Sequence, residues 1–320
     1  MKPIRAVITG TGRCVPEGVL TNADLQRLVS TTDAWIVERT GIHTRHIASS
    51  DETTSGLAAE AGRRAMAAAN VSATDIGLLI VATVTPDERM PATATRVAHS
   101  LGLTCGAFDL GAACAGFVYA LEVGRASLLA GTARHVLVIG AELLSRVVDY
   151  TDRDTCVLFG DGAGAVVLSA VETDTETGLS IGRFGTNGAL AHLLHLEEAP
   201  ESGGRPKVRM QGREVFRQAV VHLSEIIRQV VAEAGFEPES LDWVVPHQAN
   251  KRLLEAVAKR ADVPMSKLVI NLDRCGNTSA ASIPMALDEA LRAGRIEPGQ
   301  RVLFVALGAG LTWGASTYQA

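Results

Sequence analysis

Short runs of apolar residues alternate with longer, alanine-rich stretches along most of the chain. The short runs are rich in Val, Ile and Leu and have the length of buried strands. We predict strands at Leu78–Val81, Ala107–Leu110, Val136–Ile139, Ala165–Leu168, Trp243–Val245, Leu268–Ile270 and Val302–Val305. We predict helices at Leu57–Ala69, Phe117–Ala130, Val215–Ala234, Lys251–Arg260 and Ile283–Ala293. This alternation predicts an α/β fold in which helices cover the sheets.

The pattern also repeats itself. The helix end and strand start at Ala67–Ile76 resemble those at Ala232–Leu241, 165 residues later, and Ala120–Val138 resembles Ala286–Phe304 at an offset of 166. Alanine-rich helices also resemble one another by chance, but two matches at nearly one offset favour a duplication. The sequence therefore predicts two similar halves, 1–170 and 171–320. In such a fold a ligand favours the crevice between the halves, beyond the strand ends.

Composition narrows the class of protein. Of the 320 residues, 47% are hydrophobic, which excludes a disordered chain, and no apolar run approaches the ~18–20 residues of a membrane helix. The five cysteines form no C-x-x-C pair, and the N-terminus lacks the apolar stretch of a signal peptide. We therefore expect a reduced, cytoplasmic protein without a metal site. A polar segment, Glu197–Gly204, is predicted to be an exposed loop.

The net charge is −5, from 30 Lys and Arg against 35 Asp and Glu. This mild acidic excess argues against a nucleic-acid-binding protein. It does not exclude a local basic surface, which depends on where a few arginines lie.

Cys114 is the first residue with a chemical environment of interest. The predicted strand Ala107–Leu110 precedes it, Gly111 to Ala113 predict a tight turn, and a predicted helix begins just after it. A thiol near a helix N-terminus is placed where backbone N–H groups and the helix dipole favour a thiolate. The alternative is a buried structural thiol, the usual fate of a free cysteine.

His247 and Asn277 follow predicted strands in the second half. A histidine directly after the strand Trp243–Val245 is well placed to face a cleft and to transfer or donate a proton. Asn277 lies in a predicted strand-to-helix turn, at nearly the position in the second half that Cys114 has in the first. The alternatives are a histidine satisfied by the backbone and an asparagine that caps a helix. A thiol, an imidazole and an amide around one cleft suit acyl transfer through a thioester.

These segments resemble the β-ketoacyl-acyl carrier protein synthase III family. The three segments that carry Cys114, His247 and Asn277 are Ala112–Phe117, Pro246–Asn250 and Gly276–Ser282. Further similar segments are Thr21–Leu25, Trp35–Ile42, Phe159–Ala165 and Leu311–Gly314. The resemblance extends in order over nearly the whole chain.

The resemblance implies a thiolase-type fold of two similar halves, layered α-β-α-β-α, in a homodimer. It implies that an acyl-CoA primer condenses with malonyl-acyl carrier protein to initiate type II fatty-acid synthesis, without a cofactor. Cys114 would be the nucleophile that takes the acyl group. His247 and Asn277 would bind the malonyl thioester carbonyl and stabilise the enolate formed by decarboxylation. The backbone N–H groups of Cys114 and Ala309 would form the oxyanion hole, although the family commonly has Gly at the second position, where Ala would be strained if φ were positive.

The same matching assigns three further groups of residues. Those implied to bind CoA are Thr31, Trp35, Arg39, Arg153, Met210, Gly212, Phe216, Ala249 and Asn250, with Trp35 and Arg153 on the two faces of the adenine. Met90 and Leu307 are implied to line the acyl pocket, and Met90 matches a residue that the partner subunit inserts. A flexible Met there favours a longer or branched primer. The surface expected to dock the acyl carrier protein comprises Gln248, Ala249, Asn250, Lys251, Arg252, Arg217, Lys259 and Arg260.

Three alternatives remain open from the sequence. A priming ketosynthase or acyltransferase of a polyketide or other secondary pathway keeps the same three residues. A thioester or amide hydrolase also uses Cys, His and Asn, but requires the histidine as a base beside the thiol and a path for water. A non-catalytic homologue would only sequester acyl-CoA.

Overall fold

The structure is a computed structural model that describes residues 2–197 and 204–320. The strands are β1 (Ile4–Cys14), β2 (Val19–Thr21), β3 (Thr44–His46), β4 (Ile76–Ala82), β5 (Gly106–Leu110), β6 (His135–Leu143), β7 (Asp161–Glu172), β8 (Gly178–Leu179), β9 (Arg183–Thr186), β10 (Leu194–Glu197), β11 (Lys207–Met210), β12 (Trp243–Pro246), β13 (Arg301–Gly308) and β14 (Thr312–Gln319). The helices are α1 (Asn22–Leu25), α2 (Asp33–Thr40), α3 (Thr54–Ala69), α4 (Thr93–Leu101), α5 (Gly116–Leu129), α6 (Arg153–Cys156), α7 (Gly212–Glu233), α8 (Lys251–Arg260), α9 (Leu272–Cys275) and α10 (Ser282–Arg292).

Two mixed sheets carry the fold, and the second repeats the strand order of the first. The first sheet has the order β1-β7-β6-β4-β5, and the second has the order β12-β13-β14-β8, with β9 also paired to β14. In the first sheet Leu78 lies opposite Val136, and in the second Trp243 lies opposite Val302. These pairs keep the offsets of 165 and 166 that the sequence predicted. The division of the chain at residue 170 stays a prediction.

Apolar side chains divide the molecule into layers. Helices α5 and α10 pack between the two sheets, in a core that contains Phe117, Ile283 and Phe304. Helices α3 and α4 cover the outer face of the first sheet, and α7 and α8 cover the outer face of the second. Both faces of each sheet are therefore buried, which explains the continuous apolar runs of the strands. The layered α-β-α-β-α architecture is confirmed.

The predicted helices begin and end within three residues of the observed ones, and six of the seven predicted strands lie inside observed strands. The strand predicted at Leu268–Ile270 was wrong. Leu268 makes only an isolated parallel bridge to Val244, because a 3-10 helix, Met265–Lys267, ends directly before it and α9 begins soon after. Most of the loop predicted at Glu197–Gly204 lies outside the described residues. No helix in the described parts of the chain is long and apolar enough to span a membrane.

Candidate active site

Cys114, His247 and Asn277 line one cavity of about 160 Å³. Leu223 of α7 and Leu253 of α8 contribute to its apolar wall. The three residues come from different places in the sequence and meet because the sheets of the two repeats face each other across α5 and α10. The structure thus brings together the three residues that the sequence selected.

Cys114 lies in a short 3-10 helix, Ala113–Ala115, between β5 and α5. Ala113 has a φ of 46°, in the left-handed region where an alanine costs roughly 1–2 kcal/mol. Burial raises the pKa of the Cys114 thiol to about 11, more than its hydrogen-bonding surroundings lower it. Two effects therefore oppose each other at this thiol: desolvation favours the neutral form, and the start of α5 with its backbone N–H groups favours the thiolate.

His247 follows β12, and its backbone N–H donates to the carbonyl oxygen of Val305 at 2.8 Å. The imidazole is buried, which lowers its pKa to about 4. It is therefore neutral near pH 7. Its Nδ1 lies 2.8 Å from the hydroxyl of Ser282, and that hydroxyl is also 2.8 Å from the carbonyl oxygen of Ser279.

The single hydroxyl proton of Ser282 couples to the tautomer of His247. If the hydroxyl donates to the Ser279 carbonyl, Nδ1 must carry the ring proton, and Nε2 is an acceptor. If the hydroxyl donates to Nδ1, Nε2 carries the proton and is a donor. Rotation of the Ser282 hydroxyl thus determines whether Nε2 of His247 is a hydrogen-bond donor or an acceptor.

Asn277 is held at both its backbone and its side chain. Its N–H donates to the Leu158 carbonyl at 2.9 Å, and its own carbonyl accepts from the Gly160 N–H at 3.0 Å. The side-chain Oδ1 accepts from the Ser279 N–H at 2.9 Å. Nδ2 donates no hydrogen bond to any described residue, so it is available to a ligand in the cavity.

The two N–H groups expected to form the oxyanion hole are also available. Neither the N–H of Cys114 nor that of Ala309 donates a hydrogen bond within residues 2–197 and 204–320. Ala309 is not among the described residues with positive φ, and Gly310 takes that conformation instead, with a φ of 138°. An alanine at position 309 therefore adds no backbone strain.

The implied CoA-binding residues fall into two groups. Met210, Gly212, Phe216, Ala249 and Asn250 line the cavity that reaches Cys114. Asn250 also caps α8, because its side-chain oxygen accepts from the Leu253 N–H at 2.9 Å.

The other group lies outside the residues that line the cavity. The guanidinium of Arg153 is 4.7 Å from the centroid of the Trp35 ring, and that of Arg39 is 5.4 Å from it. These distances describe direct cation–π contacts, with no room for an adenine between Trp35 and Arg153. The buried hydroxyl of Thr31 has no hydrogen-bond partner.

The two acyl-pocket residues differ in burial. Leu307 is buried at the end of β13 and lines the cavity. Met90 is 86% exposed, the most exposed large apolar side chain in the described parts of the chain. Met90 is not among the described residues that line the cavity of Cys114.

The prediction that Gln248 belongs to the docking surface was wrong. Gln248 is fully buried, because its amide nitrogen donates to the carbonyl oxygens of Pro246 and Val269 and its oxygen accepts from the Asn271 N–H. It cannot contact a carrier protein, and it anchors the loop after β12 instead. The five basic side chains of the set are exposed: Arg217, Lys251, Arg252, Lys259 and Arg260. Ala249 and Asn250 are partly exposed.

The sequence interpretation missed four residues beside the site. Ser279 and Ser282 contact the catalytic groups, Glu142 is fully buried near Cys114, and Gly308 lies against the Cys114 backbone. The signal for the serines was a run of small hydroxyl residues directly after Asn277. The signal for Glu142 was a single acidic residue in an apolar strand. No three His, Cys, Asp or Glu side chains among the described residues are grouped as metal ligands.

Comparison with known proteins identifies the family. Residues 108–188 match the family 3-oxoacyl-[acyl-carrier-protein] synthase III, and residues 231–320 match its C-terminal family. The chain is 52% identical to the β-ketoacyl-[acyl-carrier-protein] synthase III of Erythrobacter litoralis over 98% of both chains.

Comparison with solved structures points to the same family. The synthase III of Aquifex aeolicus superposes with a TM-score of 0.93 at 45% identity, over 98% of this chain and 100% of that one. A priming β-ketosynthase from a polyketide pathway superposes with a TM-score of 0.93 at 35% identity, over 99% and 97%. With its thiolase-type fold, the chain belongs to the β-ketoacyl-[acyl-carrier-protein] synthase III family, the condensing acyltransferases that initiate fatty-acid synthesis.

Proposed function

We propose that this chain transfers an acyl group from CoA to Cys114 and condenses it with malonyl-acyl carrier protein. The observation that carries the proposal is the arrangement of Cys114, His247 and Asn277 around one cavity, in which the N–H of Cys114 donates no hydrogen bond to a described residue. No cofactor takes part in this reaction as we formulate it.

In the first half-reaction the sulfur of Cys114 attacks the thioester carbonyl of the acyl-CoA. The free N–H groups of Cys114 and Ala309 stabilise the oxyanion that develops, which is where fixed donors have their largest effect. CoA then leaves as a thiolate, and the acyl group stays on Cys114.

In the second half-reaction His247 and Asn277 bind the thioester carbonyl of the malonyl group. Nδ2 of Asn277 is an unused donor, and the neutral imidazole of His247 donates from Nε2 when the Ser282 hydroxyl donates to Nδ1. Decarboxylation leaves an enolate that these two donors stabilise. Its carbon attacks the acyl carbonyl on Cys114, and the β-ketoacyl product leaves on the carrier protein.

CoA would bind along the cavity, with its adenine at Trp35. Because Arg153 contacts the Trp35 ring directly, the adenine reaches its stacking position only after the guanidinium swings away. Met210, Phe216 and Asn250 would then line the path of the pantetheine.

A homodimer would complete the acyl pocket. Strand β5 lies at the edge of the first sheet, Phe108 on it is exposed, and Met90 is almost fully exposed. We propose that Met90 of one chain enters the pocket of its partner and that its flexibility admits a longer or branched primer. Kinetics that strongly favour acetyl-CoA over longer and branched acyl-CoAs would contradict the second part.

The carrier protein would dock near the mouth of the cavity. Lys251, Arg252 and Lys259 lie on α8 with exposed side chains and form no ion pair with a described residue, whereas Arg217 on α7 is paired to Glu214. Arg213, at the start of α7, is a further exposed cation that the sequence interpretation did not select. Such charges act mainly on encounter rate and orientation. We place the reaction in the cytoplasm, where the five unpaired cysteines stay reduced.

The test is a two-step mass-spectrometric assay. The protein is incubated with a panel of acyl-CoAs, and we expect an acyl adduct on Cys114 that is converted to a β-ketoacyl product when malonyl-acyl carrier protein is added. Cys114→Ala should abolish the adduct, and Cys105→Ala, at a partly exposed thiol that does not line the cavity, should retain it. Release of free acid would support a hydrolase, and an absent adduct would support a binding homologue.

A second candidate is the priming step of a polyketide pathway. It is favoured by the similarity to the priming β-ketosynthase, at 35% identity and a TM-score of 0.93. The same assay separates the two functions when it is repeated with the carrier proteins of fatty-acid and polyketide synthesis. Faster condensation with the polyketide carrier protein would favour the second candidate.

A further inference from the structure

Arg45 is one of the largest fully buried side chains among the described residues, and the reaction described above does not use it. It lies in β3, the short strand after α2. Its Nη1 donates to the Leu20 carbonyl oxygen at 3.2 Å and to Asn22 Oδ1 at 2.9 Å. Its Nη2 donates to the Val157 carbonyl oxygen at 2.7 Å. The guanidinium therefore connects two segments that are more than 110 residues apart in the sequence.

The three acceptors of Arg45 are all uncharged, although the side chain itself is a cation. Burial lowers the pKa of Arg45 to about 10, so the guanidinium still carries its charge near pH 7. Its Nε has no hydrogen-bond partner among the described residues. A buried cation with uncharged acceptors and an unpaired donor is costly to the fold, so stability alone does not account for this arginine.

The guanidinium is fixed from the side of α1 and α2. Asn22, which accepts from Arg45, donates from Nδ2 to Asp33 Oδ1 at 2.8 Å and to the Ile42 carbonyl oxygen at 2.9 Å. Asn22 is itself buried, so this amide is held on both its oxygen and its nitrogen. The contact from Arg45 to Val157 thus extends from a rigid anchor.

Residues 157–160, the segment whose first carbonyl accepts from Arg45, provide both backbone partners of Asn277. The Leu158 carbonyl accepts from the Asn277 N–H at 2.9 Å, and the Gly160 N–H donates to the Asn277 carbonyl at 3.0 Å. A displacement of the 157–160 segment would therefore move Asn277, and with it the side-chain Nδ2 that faces the cavity.

The stem of Arg45 also packs against two glycines at this junction. A Cβ at Gly160 would lie 3.0 Å from the Arg45 Cβ, and a Cβ at Gly276 would lie 3.1 Å from it. Gly276 directly precedes Asn277 and has a φ of 67°. Arg45 is therefore in contact with both chain segments that meet at Asn277.

The two residues before Arg45 hold α9, the short helix that leads into Gly276. The His43 N–H donates to the Asp273 carbonyl at 2.8 Å, and the Thr44 hydroxyl donates to the Arg274 carbonyl at 3.0 Å. The chain around β3 thus contacts the approach to the catalytic amide at successive residues.

We propose that Arg45 is a positioning residue that holds Asn277 in place for the condensation step. This inference rests on the proposed function, in which Asn277 stabilises the enolate. Arg45 does not line the cavity and acts through the 157–160 segment and Gly276. Without Arg45 the amide Nδ2 would no longer be fixed relative to His247, and the enolate would lose part of its stabilisation.

An arginine that only stabilised the fold would affect both half-reactions alike. The first half-reaction uses the backbone N–H groups of Cys114 and Ala309, whereas the second uses the side chain of Asn277. A positioning role for Arg45 therefore predicts a loss of condensation that is much larger than the loss of acylation.

The test measures the two half-reactions separately, each in a single turnover. Acylation is followed with a saturating concentration of the acyl-CoA that gives the fullest adduct in the panel. Condensation is followed by mixing the isolated Cys114 adduct with malonyl-acyl carrier protein. The variants are Arg45→Met, which removes the charge and its donors, and Arg45→Lys, which keeps the charge. The control is Arg125→Met, which removes a partly buried arginine that is paired to Glu122 in α5.

In Arg45→Met we expect condensation to be slower by about tenfold or more and acylation to stay within about threefold of the wild type. Arg45→Lys should restore part of the condensation rate, and Arg125→Met should keep both rates within about twofold. In the Asn277→Ala background, Arg45→Met should change condensation by less than about twofold, because the donor that it positions is already absent. Equal losses of the two rates, an unchanged condensation rate, or a further tenfold loss in the Asn277→Ala background would overturn the inference.

Hydrogen exchange covers the cases in which the variants do not fold or the wild type does not condense. In the wild type the amides of Gly160 and Asn277 should exchange at least about a hundredfold more slowly than the exposed amide of Asp174. Exchange as fast as that of Asp174 would overturn the inference.

In Arg45→Lys the amides of Gly160 and Asn277 should exchange about tenfold faster than in the wild type, whereas that of Val138 in β6 should not change. Unchanged exchange of all three amides would contradict the positioning role. If the wild type forms no β-ketoacyl product, the proposed function fails, and faster exchange confined to the first two amides would still show that Arg45 holds Asn277.

Discussion

The turn that carries Cys114 and the turn that follows Asn277 have the same backbone and different chemistry. In the first repeat the 3-10 helix Ala113–Ala115 leads into α5, and in the second the 3-10 helix Ser279–Ala281 leads into α10. Each begins with a residue of positive φ, 46° at Ala113 and 49° at Ser279, which lie 166 positions apart. The repeat has kept a strained backbone feature that side chains alone do not explain.

With this offset of 166 residues, the position equivalent to Cys114 is Ala280. Asn277 corresponds to Gly111, in the turn that leads to Cys114. At the ends of the inner strands, His247 corresponds to Ala82, and Glu142 corresponds to Gly308. At each of these positions one repeat has a functional side chain and the other has Ala or Gly.

This difference shows that the two repeats of a duplicated fold can contribute different functional groups to one site. The first repeat provides the nucleophile and a buried carboxylate, and the second provides the imidazole and the amide. Gly308, at the position equivalent to Glu142, leaves room for the Cys114 backbone, and the nucleophile of the first repeat shares one cavity with the imidazole and the amide of the second. The predictions below test this division.

The largest effect should follow removal of the donors of the second repeat. In His247→Ala and Asn277→Ala we expect condensation to fall by about 10²–10³, because each variant loses one donor to the enolate. Formation of the Cys114 adduct should change much less, since its oxyanion is stabilised by backbone N–H groups. The measurement is adduct mass and condensation rate on the same samples. Condensation that persists in both variants would refute these roles.

A smaller effect should follow from substituting the glycines against which the two turns pack. A Cβ at Gly308 would lie 2.6 Å from the Cys114 nitrogen, and a Cβ at Gly140 would overlap the carbonyl oxygen of Ala280. Gly308→Ala should therefore slow acylation by about 10- to 100-fold, because it displaces the Cys114 N–H. Gly140→Ala should impair condensation more than acylation, because it moves the turn that holds Asn277.

Both variants should also lose about 1–3 kcal/mol of unfolding free energy from overpacking. The control is Gly188→Ala, since a Cβ there meets no atom within 4 Å. Equal losses of acylation and condensation in the two glycine variants would show that the turns do not act separately.

The sequence predicted the repeated fold because its signals are local. Apolar runs and alanine-rich stretches located every long helix, and the offset of the repeat agreed with the register of both sheets. It failed at Leu268–Ile270, where an apolar triplet between two short helices has no room to extend as a strand. Local composition does not contain that constraint.

The sequence predicted those residues of the site that lie in short, recognisable sequence motifs. Cys114, His247 and Asn277 were selected from their neighbours, but the buried state of Gln248 and the contact between His247 and Ser282 depend on residues far apart in the sequence. The desolvation that raises the pKa of the Cys114 thiol could not be predicted for the same reason, since it is set by the whole cavity rather than by the turn.

The last prediction concerns stability and compares Glu142 of the first repeat with His247 of the second. Burial raises the pKa of Glu142 from 4.5 to about 7, so between these values the native state binds a proton that the unfolded state lacks, and stability falls as pH rises. Burial lowers the pKa of His247 from 6.5 to about 4, so there the unfolded state binds the extra proton, and stability rises with pH. Between pH 4.5 and 6.5 the two effects oppose each other.

Single substitutions should expose each effect. Relative to the wild type, the unfolding free energy of Glu142→Gln should rise with pH, and that of His247→Gln should fall, each by up to about 1.4 kcal/mol per pH unit. Urea unfolding at several pH values from 4.5 to 6.5 measures the slopes, and the double variant should return towards the wild-type slope. Slopes that stay parallel to the wild type would mean that the two buried groups do not titrate differently in the native and unfolded states. Opposite slopes would show that the buried Glu142 of the first repeat and the buried His247 of the second affect stability in opposite directions and compensate each other.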